Sequence, residues 1–503
     1  MTTLNREQSR AISTKYDMRA FLAVKPTDVM YEQTEQLMIS LILRADSYKF
    51  SHAFAYPKDV VGMAAYIEAR TIGKDLMIPF GLQILLKRFL TQRITRADVS
   101  TAKAFAEAHG DPFAEDDWLY IVEKYNGAIP LTIRAVPEGT PVRSGNAIVS
   151  IICFDERVFW LAAYFETLIQ RGIWYPTTIA SMDYAIKAEL KHLYEMTGAD
   201  MGLLPFALHD FGARGVTCGE QAEIGGAAHL VNFMGSDNVE GTVTANFYYK
   251  EAMASFSVPA TEHSVECSFG GGSEQEIEYL RHVLKYLAKP GGIVSIVIDG
   301  YDVYRCAEAL CTVLRDEIIA CKAKVVFRPD SGDMMEVVPR ILRMQEMAFG
   351  VTITSKGYKK INHVGIIQGD GVDHLSIGSL LGKIINVLGY SADCVIFGSG
   401  GALLQKVNRD TFKFAQKASS ILREVQGVLT WVGIAKDPVT DKGKKSKEGV
   451  LTLVKSKMTN EVLTMRIDEG PLDEEWEDLM VLVYKDGDLY NETVLSEVRA
   501  RVA

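Results

Sequence analysis

The chain has 503 residues, so we expect more than one domain. Its 54 Lys and Arg residues against 64 Asp and Glu residues give a formal net charge of −10, which argues against a general nucleic-acid or membrane-surface binder. The seven cysteines are scattered and contain no CxxC pair, which predicts reduced thiols and neither a disulfide framework nor a zinc site. Since no apolar run suits a signal peptide or a membrane span, we expect a cytoplasmic protein.

The two ends of the chain share one kind of pattern. After a polar N-terminal extension, residues 1–35, helical stretches such as "GLQILLKRFL" alternate with strand-like pieces such as "IPLTIRAVPEGTPV" and "NAIVSIICF" up to residue 175. Strands and loops return after residue 410. We therefore expect an α+β domain formed by residues 36–175 and 411–503.

The middle of the chain, residues 176–410, follows a different pattern. Short apolar runs each end in a small polar or glycine-rich cluster and lead into a helical stretch: "FALHDFGARG", "SVPATEHS", "IVSIVIDGYD", "KVVFRPDSGD", "VGIIQGDGVD" and "CVIFGSGGAL". Their spacing suits βα units, so the α/β class is expected, with a (β/α) barrel-like domain and a site at the C-terminal strand ends. An open doubly wound sheet is the alternative.

Carboxylates and glycines at these strand ends suggest a phosphorylated ligand. Asp299 and Asp330 follow apolar runs, and two such carboxylates can hold Mg²⁺ on a polyphosphate substrate. Asp330 can instead accept hydrogen bonds from ribose hydroxyls, and Arg328 can pair with an anion. The glycine-rich ends "QGDG" and "GSGG" leave backbone N–H groups free for phosphate. An ordinary turn carrying a surface ion pair is the alternative for "RPDSGD".

Other candidate site residues also have a purely structural interpretation as the alternative. Phe211 offers a face for a flat ring beside Arg214, or it is a core residue, and Asp237 is a ligand carboxylate or a turn cap. A lone histidine in "TEHSVECSFG", His263, is a working residue or a satisfied core imidazole. The lysines of one loop form a phosphate clamp or a solvated surface: Lys436, Lys442, Lys444, Lys445 and Lys447. From these patterns alone we expect a barrel enzyme acting on a phosphorylated ribose, with Mg²⁺.

Several long motifs occur in one order between about residue 40 and about residue 460. They are "LRADSYKFSH", "IRAVPEGTPVRSGN", "LHDFGARGV", "GAAHLVNFMGSDNV", "SVPATEHS", "RPDSGD", "IQGDGVD", "FGSGGALLQKVNRD" and "KDPVTDKGKKSKEG". With them the chain resembles the nicotinamide phosphoribosyltransferase family of type II phosphoribosyltransferases. The resemblance implies a transferase that joins nicotinamide to phosphoribosyl pyrophosphate, giving nicotinamide mononucleotide and pyrophosphate in NAD biosynthesis, and a homodimer with shared active sites.

The resemblance also implies roles for the matching residues. Phe211 and the partner subunit's Tyr48 would stack on the pyridine ring, Asp237 would accept from the amide, and Arg328 would lie near the base and phosphates. Asp330 would hold the ribose hydroxyls. Residues expected at the ribose 5-phosphate are Gly369, Asp370, Gly400, Gly401, Arg409 and Lys417. Residues expected at the pyrophosphate are Arg70, Arg214, His263, Arg328 and Lys436.

Two further roles concern catalysis and its cofactors. Asp299 and Asp330 are expected to hold Mg²⁺, and His263 is expected to be transiently phosphorylated by ATP, with Glu262 or a nearby carboxylate orienting its ring. Ala213 stands where vertebrate members of the family usually have tyrosine, and Phe256 stands where tyrosine is usual. Both differences concern the width of the substrate tunnel. The alternatives are a nicotinate phosphoribosyltransferase and a non-catalytic binding or signalling protein on the same fold.

Overall fold

A computed structural model describes residues 40–70, 76–440 and 445–503. The N-terminal extension, residues 1–35, and two lysines of the basic loop, Lys442 and Lys444, lie outside the described residues. Within the described ranges, no helix is both long enough and apolar enough to cross a bilayer.

The strands are numbered in chain order. They are β1 (Val60–Ala69), β2 (Leu76–Met77), β3 (Thr132–Ala135), β4 (Val142–Arg143), β5 (Ala147–Cys153), β6 (Leu208–Asp210), β7 (Gly235–Ser236), β8 (Ile293–Val297), β9 (Lys324–Arg328), β10 (Val351–Ile353), β11 (Lys359–Ile361), β12 (Val364–Gln368), β13 (Val395–Ser399), β14 (Phe414–Val425), β15 (Val428–Gly433), β16 (Leu451–Ser456), β17 (Val462–Arg466), β18 (Trp476–Asp478), β19 (Val481–Lys485) and β20 (Asp488–Leu489).

The α-helices are numbered in the same way. They are α1 (His52–Ala55), α2 (Leu82–Leu85), α3 (Arg96–His109), α4 (Glu115–Lys124), α5 (Leu161–Tyr164), α6 (Glu166–Thr197), α7 (Gly219–His229), α8 (Val239–Tyr248), α9 (His263–Phe269), α10 (Ser273–Leu287), α11 (Val303–Cys311), α12 (Arg315–Cys321), α13 (Met334–Phe349), α14 (His374–Asn386), α15 (Gly401–Leu404) and α16 (Leu495–Val502).

The chain divides into two compact units. The first comprises Met1–Pro57 and Gln92–Ile129, and its described part contains α1, α3 and α4. Helix α3 begins with a capping box in which Thr95 and Asp98 satisfy each other's backbone N–H groups. Phe50 packs edge-on against Phe105 and Phe113, with ring centroids 6.4 and 6.2 Å away, so aromatic contacts hold this unit together.

The second unit, Lys58–Thr91 and Pro130–Ala503, contains a seven-stranded sheet built from distant parts of the chain. Its order is β15-β14-β1-β5-β3-β19-β20, so early strands pair with late ones. Strand β1 pairs antiparallel with both β14 and β5. This sheet agrees with the expected α+β domain formed by both chain ends. The expected boundary after residue 175 falls inside α6, and the division into domains stays a prediction.

A six-stranded parallel sheet carries the predicted strand ends, in the order β7-β6-β13-β12-β9-β8. The segment 256–260 bridges both of its edges, because Phe256 pairs in parallel with Gly235 on β7 and Ala260 pairs with Ser295 on β8. The sheet therefore curls into a barrel, and the open doubly wound alternative is wrong. One strand was missed from the sequence, since β7 has only two residues and no apolar run.

A buried ion pair fastens α6 to the barrel. Asp183 of α6 and His229 of α7 are fully buried, with Oδ2 and Nδ1 2.7 Å apart. His229 Nε2 lies 3.0 Å from the carbonyl oxygen of Gly235 on β7, so both ring nitrogens face acceptors and both carry hydrogen. Burial lowers the pKa of His229, but the Asp183 carboxylate outweighs it and raises this pKa.

We predict that Asp183→Ala lowers the free energy of unfolding by about 3–5 kcal/mol, because it leaves the imidazolium of His229 buried without its counter-charge. Chemical denaturation of the variant and the parent protein measures this difference. Glu195→Ala, at an exposed position of the same helix, is the control and should change stability by less than about 0.5 kcal/mol. An equal effect of the two substitutions would contradict the structural role of the pair.

Candidate active site

A cavity of about 210 Å³ opens at the carboxyl ends of the parallel strands. It is lined by Phe211, Ala213, Arg214, Asp237, Asn238, Arg328 and Asp330. Phe211 follows β6, Asp237 follows β7, and Asp330 follows β9, whose last residue is Arg328. The structure thus brings together five residues that the sequence predicted separately, and it adds Asn238 to them.

The ring of Phe211 lies against glycines of the neighbouring strand ends. Its backbone N–H donates to the carbonyl oxygen of Ser399, with N and O 3.0 Å apart. A Cβ atom at Gly398 would lie 2.0 Å from Phe211 Cε2, and one at Gly369 would lie 3.5 Å from the same atom. Gly398 must therefore lack a side chain for the ring to occupy this position.

A neutral imidazole lies beside this ring. His209 of β6 is buried, and its ring centroid is 6.0 Å from that of Phe211. Burial lowers the pKa of His209 from 6.5 to about 4, although the Asp237 carboxylate opposes the shift. At neutral pH the ring of His209 therefore adds no positive charge beneath the pocket.

Two neighbours orient Asp237 at the rim. Its backbone N–H donates to the carbonyl oxygen of Asp210 over 3.0 Å, and its Oδ1 accepts from the Ser257 hydroxyl over 2.6 Å. Asp210 is fully buried and accepts from the Gly212 N–H over 2.7 Å and from Asn238 Nδ2 over 2.9 Å. Ser257 was not predicted from the sequence, because nothing in "SVPA" distinguishes a serine that faces Asp237 from one that faces solvent.

The guanidinium of Arg328 is fixed on one side only. Its Nη2 donates to the carbonyl oxygen of Thr261 over 2.6 Å, whereas its buried Nε has no hydrogen-bond partner within residues 40–70, 76–440 and 445–503. Asp330 lies two residues further on, half-buried beside Gly369. A buried donor without a partner is costly, so Arg328 is suited to an acceptor that the protein itself does not supply.

His263 is the first residue of α9, and its partner is Asp299. The Nε2 and Oδ1 atoms are 2.9 Å apart, with 45% of the histidine side chain exposed and 4% of the aspartate side chain. An ionised carboxylate only accepts, so Nε2 carries the hydrogen and the lone pair lies on Nδ1. The carboxylate that orients the ring is therefore Asp299. Glu262 instead accepts from the hydroxyl of Ser264.

Glu266 lies one helical turn after His263 and contacts the loop after β8 that also carries Asp299. It is buried, and its Oε2 accepts from the Gly300 N–H over 3.0 Å. A Cβ atom at Gly300 would lie 2.4 Å from this oxygen, so a side chain there would displace the Glu266 carboxylate. Burial raises the pKa of Glu266 to about 7. Sequence reasoning missed this residue, although its spacing of three from His263 on a helix was a usable signal.

Four of the six residues expected at the ribose phosphate lie at the ends of adjacent strands. Gly369 and Asp370 follow β12, whereas Gly400 and Gly401 follow β13, and these strands pair in parallel. The carbonyl oxygen of Asp370 accepts from the buried side chain of Gln368, whose Nε2 is 2.8 Å away, which fixes the loop conformation.

The remaining predicted cations lie on and beside the seven-stranded sheet. The backbone N–H of Arg70 donates to the carbonyl oxygen of Phe412 over 3.0 Å. Lys417 on β14 lies opposite Tyr66 on β1 in the antiparallel pairing of these strands. Arg409 and Lys436 are exposed in the loops before β14 and after β15. Tyr48 is 54% exposed in the first unit. The expected roles of Tyr48, Arg409 and Lys417 involve a second subunit and stay predictions.

Two carboxylates at the strand ends are suited to hold Mg²⁺ together with a substrate phosphate. Within the described ranges, no group of three or more His, Cys, Asp and Glu side chains is placed to hold a metal. Asp299 and Asp330 follow β8 and β9, which are paired, and both offer carboxylate oxygens. Mg²⁺ prefers oxygen ligands and is commonly bound through one or two carboxylates together with substrate phosphates, so these residues fit such an ion.

Comparison with known proteins gives consistent matches. The model of the nicotinate phosphoribosyltransferase (NAPRTase) family matches residues 206–485, and that of the nicotinamide phosphoribosyltransferase N-terminal domain matches residues 40–133. Nicotinamide phosphoribosyltransferase of Xanthomonas campestris pv. campestris (strain 8004) is 44% identical over 464 residues, or 92% of this chain and 97% of the relative. The Acinetobacter baylyi protein of that name is 30% identical over 499 residues, or 91% and 96%.

Solved structures share the fold at low sequence identity. Nicotinate-nucleotide pyrophosphorylase from Pyrococcus furiosus has a TM-score of 0.58 at 14% identity and covers 92% of this chain and 95% of its own. Human nicotinic acid phosphoribosyltransferase has a TM-score of 0.51 at 17% identity, with 91% and 92% covered. The barrel with its pocket at the strand ends is thus the fold of a type II phosphoribosyltransferase, an enzyme that transfers a pentosyl group.

Within that class the sequence relatives are decisive. The 44% identical relative and the two matching family models together span most of the chain. The protein belongs to the nicotinamide phosphoribosyltransferase family, as its motifs predicted.

We predict that the free energy of unfolding falls as the pH is lowered from about 6.5 to about 4, by up to about 3 kcal/mol through His209. The unfolded chain binds this proton below about pH 6.5, whereas the folded protein binds it only near pH 4. His209→Gln should remove this part of the pH dependence, as measured by urea denaturation at pH 5 and pH 7. His282→Gln, at an exposed histidine, is the control, and identical pH dependence in all three proteins would contradict the assignment.

Proposed function

We propose that the protein joins nicotinamide to phosphoribosyl pyrophosphate, forming nicotinamide mononucleotide and pyrophosphate in NAD biosynthesis. The observation that carries this proposal is the Asp237 carboxylate, held by Ser257 at the rim of the pocket that contains Phe211. A carboxylate accepts hydrogen bonds from a neutral amide and repels a second carboxylate. The two relatives named as nicotinamide phosphoribosyltransferases support the same substrate.

Nicotinamide fits this pocket by stacking and by one directed hydrogen bond. The pyridine ring lies on the face of Phe211, with Tyr48 of the partner subunit on its other face. The amide N–H₂ donates to Asp237, while Arg328 holds the carbonyl side or the adjacent phosphate with its Nε–H, which has no partner in the part of the chain that the structure describes. This arrangement presents the ring nitrogen to the anomeric carbon and lowers the entropic cost of the reaction.

The chemistry requires stabilisation of separated charge rather than proton transfer. The bond from C1 of the ribose to the pyrophosphate oxygen breaks, the electron pair leaves with pyrophosphate, and the pyridine nitrogen forms the new bond to C1. Asp330 holds the ribose hydroxyls and stabilises the oxocarbenium-like carbon, while Arg70, Arg214 and Lys436 bind pyrophosphate. Mg²⁺ bound through Asp299 and Asp330 would neutralise charge on the departing group.

Coupling to ATP is a further part of the proposal. Nδ1 of His263 attacks the γ-phosphorus of ATP, the bond to the bridging oxygen breaks, and ADP leaves. Water later hydrolyses the phosphohistidine and releases phosphate. The support is geometric, because Asp299 takes the Nε2–H and leaves the Nδ1 lone pair on a half-exposed ring.

A homodimer completes the proposal, together with a location in the cytoplasm. Helix α8 carries an apolar stripe at Val239, Val243 and Phe247, whose side chains are 72%, 57% and 73% exposed. Their spacing of four residues places them on one face of the helix. An exposed apolar stripe of this kind suits burial against a second copy of the chain.

Substrate selectivity tests the central claim. We predict that the wild-type protein uses nicotinamide and not nicotinate, and that Asp237→Ser lowers kcat/KM for nicotinamide by about 10-fold or more while reducing the discrimination between the two, because one charged hydrogen bond and one repulsion are lost. Glu240→Gln removes an exposed carboxylate three residues away and serves as the charge-matched control. Turnover of nicotinate by the wild type would favour the alternative, a nicotinate phosphoribosyltransferase.

ATP coupling is tested separately. We predict that His263→Ala retains nicotinamide binding and loses the stimulation of nucleotide synthesis by ATP, since the phosphate acceptor is gone. The measurements are nicotinamide affinity and synthesis rate with and without ATP, with His282→Ala as the control. Unchanged stimulation in the variant would remove His263 from the coupling step. If the wild type released no pyrophosphate from the two substrates, the non-catalytic alternative would be favoured.

A further inference from the structure

A buried carboxylate, Glu68, joins the cations of the seven-stranded sheet. Its side chain is 4% exposed, and its Oε1 accepts from Arg70 Nε over 2.8 Å and from the Tyr66 hydroxyl over 3.2 Å. Its Oε2 accepts from Nζ of Lys447. One negative charge therefore holds two positive charges that are 377 residues apart in sequence, counted from Arg70 to Lys447.

The same contacts anchor the described ends of the lysine-rich loop, residues 436–440 and 445–447. Lys436 and Ser446 close the base of this loop, because the Ser446 N–H donates to the Lys436 carbonyl over 3.1 Å and the Lys436 N–H donates to the Ser446 hydroxyl over 3.0 Å. The next residue, Lys447, donates its backbone N–H to the Tyr66 hydroxyl over 2.9 Å. The base of the loop is thus fixed to β1 beside Arg70.

The contact with Glu68 engages only part of the Arg70 guanidinium. Glu68 takes the Nε–H of Arg70, and Arg70 Nη2 has no hydrogen-bond partner within the described ranges. Two cations and one carboxylate leave a net charge of +1 for this group. Without Glu68, the two like charges would repel each other and the base of the loop would lose its ionic anchor to β1.

We propose that Glu68 is the positioning residue of an anion clamp formed by Arg70 and Lys436, and that it sets the affinity for the pyrophosphate group without touching it. The inference rests on the proposed function for the identity of the anion. In this proposal Lys447 anchors the loop through its contacts with Glu68 and Tyr66. Lys436 faces the ligand.

The test compares Glu68→Gln with the parent protein. Gln is of similar size but presents an N–H₂ group to one of the two cations, so Arg70 and the loop separate. We expect the KM for phosphoribosyl pyrophosphate and the inhibition constant of pyrophosphate to rise at least 10-fold, while the KM for nicotinamide changes less than 2-fold. Glu68→Asp keeps the charge and should restore part of the affinity. Lys447→Met should weaken pyrophosphate binding in the same direction.

A matched control lies at the opposite end of β1. Asp59 pairs with Arg423 across the far end of β1 and β14, with Oδ2 and Nε 3.5 Å apart, so Asp59→Asn removes a carboxylate–arginine pair away from the clamp. A role in folding alone would lower the melting temperature and the kcat/KM for both substrates together. The proposal is overturned by that pattern, or by pyrophosphate constants in Glu68→Gln that match those in Asp59→Asn.

Calorimetric titration of pyrophosphate into each variant gives a readout that does not depend on turnover. If the wild type makes no nicotinamide mononucleotide but binds pyrophosphate more tightly than Glu68→Gln does, the proposed function fails and the clamp stands. If the wild type is active and the two proteins bind pyrophosphate equally, the clamp fails and the proposed function stands.

Discussion

The seven residues from Ser257 to His263 hold the charged groups of the site in place. Ser257 donates to Asp237, the Thr261 carbonyl accepts from Arg328, and His263 contacts Asp299. The adjoining bridges at Phe256 and Ala260 close the parallel sheet at both edges. Barrel closure and orientation of the charged side chains are therefore one event, and the site cannot assemble around an open sheet.

Local electrostatics then divide the site by ligand charge. On one side, neutral His209 and the Asp237 carboxylate make the environment of Phe211 suitable for an uncharged heteroaromatic ring. On the other side, Arg328 has a buried donor, Nε–H, with no hydrogen-bond partner among the described residues. The cations around Glu68 form a separate group on the seven-stranded sheet, far along the chain from the barrel strands. A subunit arrangement with shared sites would join these two groups.

The predictable part of the molecule was the part with local sequence signals. Apolar runs ending in Asp, Gly or Arg predicted the barrel strands and most pocket residues, because parallel strands expose their carboxyl ends at one rim. The sequence did not predict β7, because its two residues, Gly235 and Ser236, are too few to show a periodic apolar pattern. The contact between Glu68 and Lys447 joins residues 379 apart and depends on β1 lying beside the loop, which no local pattern encodes.

The contacts made by helix α6 limit where the chain can gain or lose residues. Its first turn contributes Glu166, which pairs with Lys417 on β14, and its later turns contribute Leu190 and Tyr194 to the core of the barrel. Each residue of an α-helix advances it by about 1.5 Å and rotates it by about 100°. Inserting or deleting one residue between these contacts would turn one attachment away from its partner. Length variation among relatives should therefore be confined to loops outside Glu166–Thr197.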